Sequence, residues 1–351
     1  MSQVERWLGS YEAVGTRERY GRALSKFCAY YEVSPEETLD WELERIEDYM
    51  IDWKVFQRDA GYAGATIIVE FAAVKRWFIF NRKRIAVECK NISATRKLLD
   101  YIPTRTDIQE LLDSAKLSHR VAIAIFAFAG YRPIDISELR YKHVKASLEA
   151  GDDVLTITKQ HRKTRQWYVT FLGPQGTRYM KSFLKIRRMN GEKITDETPI
   201  LIGNEGQAMS ADAIGSAIYR IILRTVGRYP TGENFRRFRP YSLRKYFRRA
   251  MNSLGDSVSE YLMGHKEGLQ GMPATYGGLM DLDPIAVDRL KKDYIKMLPE
   301  LETLVTDVSL KIQIEKMEKE KGSLKERMDL IAEEHKELRA LLEEFKEQEK
   351  G

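Results

Sequence analysis

Apolar side chains recur at helical spacing in two segments near the N-terminus. Tyr20, Leu24, Phe27 and Tyr31 follow Thr16 at intervals of four, three and four residues, and Ile67, Phe71, Val74 and Phe78 do the same after Thr66. Each set lines one face of an amphipathic helix with a threonine as its N-cap. Trp41 to Ala60 reads as a third helical stretch between them, which predicts a small helical domain over residues 1–85. Residues 86–104 lose the periodicity and carry Pro103, as a linker does. Beyond it Thr106 opens a helix, and the run Val121 to Ala129 is apolar on every side, which fits a buried central helix. Val154 to Thr158 and Gln166 to Leu172 are rich in β-branched and aromatic residues around a basic turn, a hairpin signal. Helical patterns return over Gln175 to Arg188 and, after Ser210, over Ala211 to Val226. The expected fold is therefore mainly α with a small antiparallel β-sheet (α+β). Residues 105–298 form its second domain.

The tail, residues 299–351, carries a heptad. Leu310, Met317, Leu324, Ile331, Leu338 and Phe345 stand seven apart, and Ile314, Met328 and Leu342 fill part of the companion seam, with Lys321 and His335 as polar exceptions. Gly322-Ser323 interrupts it, and Ser323 with Glu326 has the form of a capping box, so the tail reads either as a coiled coil or as a helical hairpin. Charge separates tail from body. From Pro299 onward there are 15 acidic residues against 10 Lys and Arg, which leaves a net +11 on residues 1–298 of a chain whose overall charge is +6. A basic body suggests a polyanionic partner. The longest apolar run is far short of the roughly 20 residues of a membrane span, and Met1-Ser2-Gln3-Val4 has none of the build of a secretory signal. A cytoplasmic protein without membrane contact is expected. Cys28 and Cys89 suit small buried hydrophobes better than a disulfide framework, and neither has neighbours at zinc-ligand spacing.

One segment concentrates cations and rings. Phe235 to Arg249 holds seven Lys or Arg, including Arg236, Arg237, Arg239, Lys245, Arg248 and Arg249, among five aromatics. That composition suits phosphates with sugars or bases packed alongside, and those six residues are the candidate DNA contacts. Here the chain resembles the tyrosine recombinases, the family of phage and archaeal integrases and Xer-type enzymes. Ala129-Gly-Tyr-Arg132-Pro-Ile-Asp135, with Leu139 seven residues past the arginine, is similar to the family's first box. Tyr241-Ser-Leu-Arg244-Lys-Tyr-Phe resembles the second, Leu262-Met-Gly264-His265 the third, and Ala274-Thr-Tyr276 stands where the family carries its nucleophile. Trp7-Leu8, Thr16, Tyr20, Leu24, Phe27 and Thr66-Ile67 are similar to the helical core-binding domain that precedes the catalytic one. Residues 1 to about 295 are covered by this likeness.

The resemblance implies a site-specific recombinase or integrase that cleaves and rejoins DNA through a 3′-phosphotyrosyl intermediate, as the integrases of mobile elements do. It implies double-stranded DNA at specific sites as partner and a homo-oligomer, a tetramer on two duplexes, with residues 283–298 as a helix that docks on a neighbouring subunit. Tyr276 would be the nucleophile, Arg132 and Arg244 the planar forks that hold phosphate oxygens, and His265 a further donor. Lys163 on the hairpin turn would protonate the leaving oxygen, with Lys159 and Arg162 as competitors on the same turn. No metal or cofactor is called for by that chemistry. Where most relatives have histidine the second box has Tyr241, whose hydroxyl can donate to phosphate but is a poor base at neutral pH. The phenol proton of Tyr276 then falls to His161, to water or to the phosphate. Asp135 is expected to be structural, and Tyr246 and Tyr261 are the fallback nucleophiles. Two rival readings stand beside this one: a catalytically silent DNA-binding protein of the same fold, and a type IB topoisomerase-like relaxase acting as a monomer. For the tail, self-association or a protein partner is expected.

Overall fold

The computed structural model describes residues 1–93, 99–161, 165–203, 205–225, 235–236, 238–265, 268, 271–273, 276–308, 310–318, 320–322, 324–328 and 331. The chain divides into two compact units, Met1–Lys97 and Leu98–Gly351.

The first unit is four helices: α1 (Gln3–Gly9), α2 (Val14–Tyr30), α3 (Leu43–Asp59) and α4 (Gly64–Phe80). A capping box starts α1, with the Ser2 hydroxyl accepting from the Glu5 amide at 3.1 Å and the Glu5 carboxylate accepting from the Ser2 amide at 2.7 Å. The predicted apolar stripes point inward, and the core is aromatic. Trp7 meets Trp77 edge-on at 5.4 Å, and Phe27 meets Trp53 edge-on at 5.3 Å. Three boundaries differ from the sequence expectation. Helix α2 begins at Val14, with Ala13 rather than Thr16 in the cap position, and α4 begins at Gly64, with Ala63 rather than Thr66 in that position. Trp41 does not open α3, because its backbone is extended and its buried ring packs on Phe27, Tyr31 and Tyr49, so the helix starts two residues later.

In the second unit α5 (Arg105–Ser114) is capped by Thr104, whose hydroxyl accepts from the Asp107 amide at 3.2 Å. Helix α6 (Leu117–Ala129) is the central helix, with every residue from Val121 to Ala129 buried. It packs against α5, β3 (Trp167–Leu172), α9 (Pro174–Met189), α10 (Ala211–Thr225) and α11 (Pro240–Met251), with α7 (Pro133–Ser137), α8 (Lys145–Glu149) and α12 (Asp256–Leu262) completing the set. The hairpin is antiparallel, β2 (Leu155–Gln160) pairing with β3 so that Leu155 faces Leu172 and Lys159 faces Tyr168. Strand alternation puts Lys159 on the buried face with Leu155 and Ile157. A second pairing lies in the predicted linker, where β1 (Leu99–Asp100) runs parallel to β4 (Phe235–Arg236). Two residues are too few to leave a periodic trace in a sequence. Among the described residues no helix is long and apolar enough to cross a membrane.

The Pro284–Lys296 helix packs on its own domain through Leu290 and Tyr294, and the Tyr294 hydroxyl donates to the Phe128 carbonyl at 2.8 Å. Past it, Leu298 and Leu301 are buried, and Glu302 accepts from the Gln175 amide at 2.8 Å at the start of α9. Burial raises the Glu302 carboxyl to about 7. A carboxyl raised in the fold binds its proton more tightly there than in the unfolded chain. Its stabilisation is therefore complete below the ordinary carboxyl range and is lost as pH rises through about 7. Thermal melts between pH 4 and 8 should show stability falling by up to about 3 kcal/mol from this group, most of it between the ordinary carboxyl range and about 7, and Glu302→Gln should flatten that fall. An unchanged slope in the variant would remove Glu302 as its origin.

Candidate active site

The site grows from the end of α6. Gly130 closes that helix with a left-handed φ of 70°, and a Cβ there would come within 2.5 Å of the Phe247 ring, so only glycine fits. The turn delivers Arg132 to the N-cap of α7, where its Nη1 lies 3.1 Å from Nε2 of His161 at the end of the hairpin. The Gly130 carbonyl accepts from Nη1 of Arg244 on α11. Nη2 of Arg244 donates to the Met263 carbonyl at 2.8 Å and to Nε2 of His265 at 2.8 Å. Gly264, also left-handed, turns the chain against the Tyr168 ring just before His265. Since the guanidinium can only donate, His265 Nε2 is the acceptor, and the ring proton sits on Nδ1, which bonds to Glu260.

Arg244 is only 2% exposed, and its hydrogen bonds among the described residues all go to neutral groups. Burial, then the nearby charge of Arg132, pushes it down to about 10. The same two causes push His161 below the usual histidine value. Burial also lowers His265, with Glu260 opposing and Arg244 adding to the shift. Both imidazoles are thus neutral at pH 7, beside two guanidiniums that stay charged. Among the described residues no carboxylate bonds to either guanidinium, although Glu260 holds His265 and the buried Asp135 is near enough to act on Arg244.

The other expected residues divide. Tyr241, on the first turn of α11, is 45% exposed and close enough for its oxygen to act electrostatically on Arg244. Tyr276 stands apart. Its hydroxyl donates to Asp293 Oδ2 at 2.5 Å, not to the arginines, and burial followed by Asp293 raises the phenol to about 12. The second Asp293 oxygen is held by Lys296 at 2.6 Å. Lys163 lies outside the described residues, as do Arg162 and Arg237. Lys159 is buried, with its ammonium 2.9 Å from Glu138 Oε2 and 3.0 Å from the Asp135 carbonyl, and its charge reaches His161. Asp135 itself is buried and accepts from the Arg132 amide at 3.4 Å, the structural part expected of it. The fallback nucleophiles are core residues: Tyr246 donates to the Leu301 carbonyl at 2.8 Å, and the buried Tyr261 hydroxyl accepts from the Val169 amide at 3.4 Å.

The basic segment is not the free cationic face its composition suggests. Arg239 and Lys245 both pair with Asp100, the former at 3.1 Å. Arg248 meets Glu260 at 2.8 Å, and Arg249 donates to the Pro103 carbonyl at 2.8 Å. Arg236 sits in β4. Three carboxylates absent from the sequence reading thus organise the site: Asp100, Glu260 and Asp293. Only Glu260, five residues before His265, lies within a helical turn or so of the group it holds.

No family model and no curated protein matches this sequence. Solved structures do. A lambda integrase dimer bound to a COC′ core site superposes with a TM-score of 0.53 at 15% identity, over 76% of this chain and 94% of that one. The Tn1549 transposon integrase in complex with transposon right end DNA gives 0.52 at 14% identity, over 83% and 99%. A lambda integrase tetramer bound to a Holliday junction gives 0.52 at 14%, over 78% and 79%. The chain has the tyrosine-recombinase fold, with the helical build and small antiparallel sheet expected from its sequence.

The His265–Glu260 pair makes a measurable claim. The Glu260 carboxylate favours the imidazolium, so Glu260→Gln should move the His265 titration to lower pH. Histidine NMR resonances followed against pH read this directly. A rise, or no movement, would show that the carboxylate does not govern this ring.

Proposed function

We propose that this protein is a site-specific DNA recombinase of integrase type, acting in the cytosol, which cleaves and rejoins strands through a 3′-phosphotyrosyl intermediate. The observation that carries the reading is Arg244, a buried guanidinium whose partners among the described residues are all neutral, set beside Arg132 and two neutral histidines. A phosphodiester supplies an anion that both guanidiniums can bond. Two planar forks can hold its non-bridging oxygens and offset the charge that builds there in the transition state. Structural neighbours solved on DNA, as a dimer and as a tetramer, favour double-stranded DNA as partner and a tetramer on two duplexes as the working assembly.

In this mechanism the Tyr276 oxygen attacks phosphorus, and the bond from phosphorus to the 5′ oxygen breaks. The leaving oxygen takes a proton from Lys163. The phenol proton passes to His161, to water or to a phosphate oxygen, while Tyr241 donates to the phosphate from the rim of the cluster. Lys159 is the second candidate for the acid, favoured by its place beside Asp135 and within reach of His161. Tyr276 must first leave Asp293, so its bond to that carboxylate describes a resting position. Arg236, Arg237, Arg239, Lys245, Arg248 and Arg249 would contact the DNA backbone by exchanging internal partners for phosphates.

A nicked suicide duplex carrying the attachment site tests this. The wild type should form a covalent protein–DNA adduct that Tyr276→Phe abolishes and that Arg132→Ala or Arg244→Ala slows by a factor of about a hundred or more. DNA binding without adduct on any site would favour a silent binding protein, and relaxation of supercoils by a monomer would favour the topoisomerase-like reading. Lys163→Ala and Lys159→Ala, compared in the same assay, separate the two candidate acids. Asp293→Asn should speed adduct formation by something on the order of tenfold, since it removes a charge-assisted bond that holds the nucleophile away. Slower formation in that variant would mean that Asp293 assists the attack.

A further inference from the structure

The tail is helical wherever it is described from residue 310 to 331, on both sides of position 323. One stripe of it is apolar and exposed: Leu310, Ile314, Met317, Leu324, Met328 and Ile331 are all 45% or more open to solvent. Every described residue from Ile314 to Ile331 is exposed, so none of the described residues covers this face. The stripe runs about 30 Å along the helix. A helix of this kind draws little support from propensity alone and is completed by burying its apolar side.

We infer that the tail pairs with the tail of a second copy of this chain as a parallel, two-stranded coiled coil. The argument rests on the charges beside the seam. With Leu310, Met317, Leu324 and Ile331 at the d positions, Ile314, Lys321 and Met328 fall at a. In a parallel pair each g residue faces the e residue five positions on in the partner. Glu320 then faces Lys325 of the second copy, and Lys325 faces its Glu320. The sequence repeats the match at Glu334 and Arg339, and no g–e pair joins two like charges. Lys321 at an a position sets register and favours two strands, because its stem can pack in the seam while its ammonium reaches water on the flank of a dimer. The occupant that these positions complement is the same sequence in the same direction.

This pairing deepens the assembly part of the proposed function but does not depend on strand transfer, and it is read without DNA. The experiment is light scattering on the purified full chain, together with Glu320→Lys, Lys325→Glu and an equimolar mixture of the two variants. Each variant places like charges at both flanking pairs and should weaken self-association by about tenfold. The mixture should recover it, since a mixed pair restores both attractions. Leu324→Glu should abolish the association while the thermal transition of the two compact units stays in place, because this side chain is 60% exposed and belongs to neither hydrophobic core. A wild type that stays at the chain mass at high micromolar concentration would overturn the proposal. So would a mixture that associates no better than either variant, which is the result expected of antiparallel strands or of a different partner. Because adduct formation at Tyr276 is a separate readout, failure here leaves the recombinase reading standing.

Discussion

The bond from Arg244 to the Gly130 carbonyl is the constraint on which the second unit depends. It fastens α11 to the C-terminus of α6, and it exists only because Gly130 turns left-handed where any side chain would strike Phe247. The other end of the same guanidinium holds Met263 and His265, so one buried residue ties together three segments far apart in sequence. Burying a guanidinium costs several kcal/mol unless its charge is answered. Here the answer is carbonyl and imidazole dipoles, which satisfy the hydrogen bonds and leave the net charge in place. A residue that looks like a structural tie is therefore also a standing demand for an anion.

Much of this was legible in the sequence for a physical reason. The stripes of α2 and α4, the fully apolar Val121–Ala129 and the alternation of β2 and β3 are local patterns, and burial imposes them at fixed periods. Arg132 and His265 were legible because each lies in a short box whose glycine and flanking apolar residues shape the turn that carries it, and Arg244 because its box is one run within α11. The carboxylates were not. Asp293 meets Tyr276 across 17 positions and Asp100 meets Lys245 across 145, and an acidic residue in a chain this rich in charge gives no hint of its partner. The start of α3 was misplaced for a related reason, since Trp41 follows its ring into the aromatic core rather than the helical period.

The separation of Tyr276 from the arginines divides the chemistry into parts with different rigidity. Arg132, Arg244 and His265 hang from packed helices and from glycine turns with a single allowed geometry. Tyr276 hangs from a stretch bearing Gly268, Gly271 and Pro273, and its one described side-chain bond is to a carboxylate that also serves Lys296. Under the proposed mechanism such a cluster would be ready for a phosphate before substrate arrives, whereas Tyr276 would have to be delivered to it.

The Asp100 carboxylate bears on how strongly salt should govern binding to a polyanion. It already pairs with Arg239 and Lys245 and offsets one of their two charges, so in the proposed binding a phosphate that took its place would displace a tethered counterion instead of releasing mobile ones. The entropy of ion release, which makes nucleic-acid affinity fall steeply with ionic strength, scales with the cations left bare beforehand. Salt sensitivity of the proposed DNA binding would be set by that smaller number, with the residues around Asp100 as an ion exchanger whose first anion is built in.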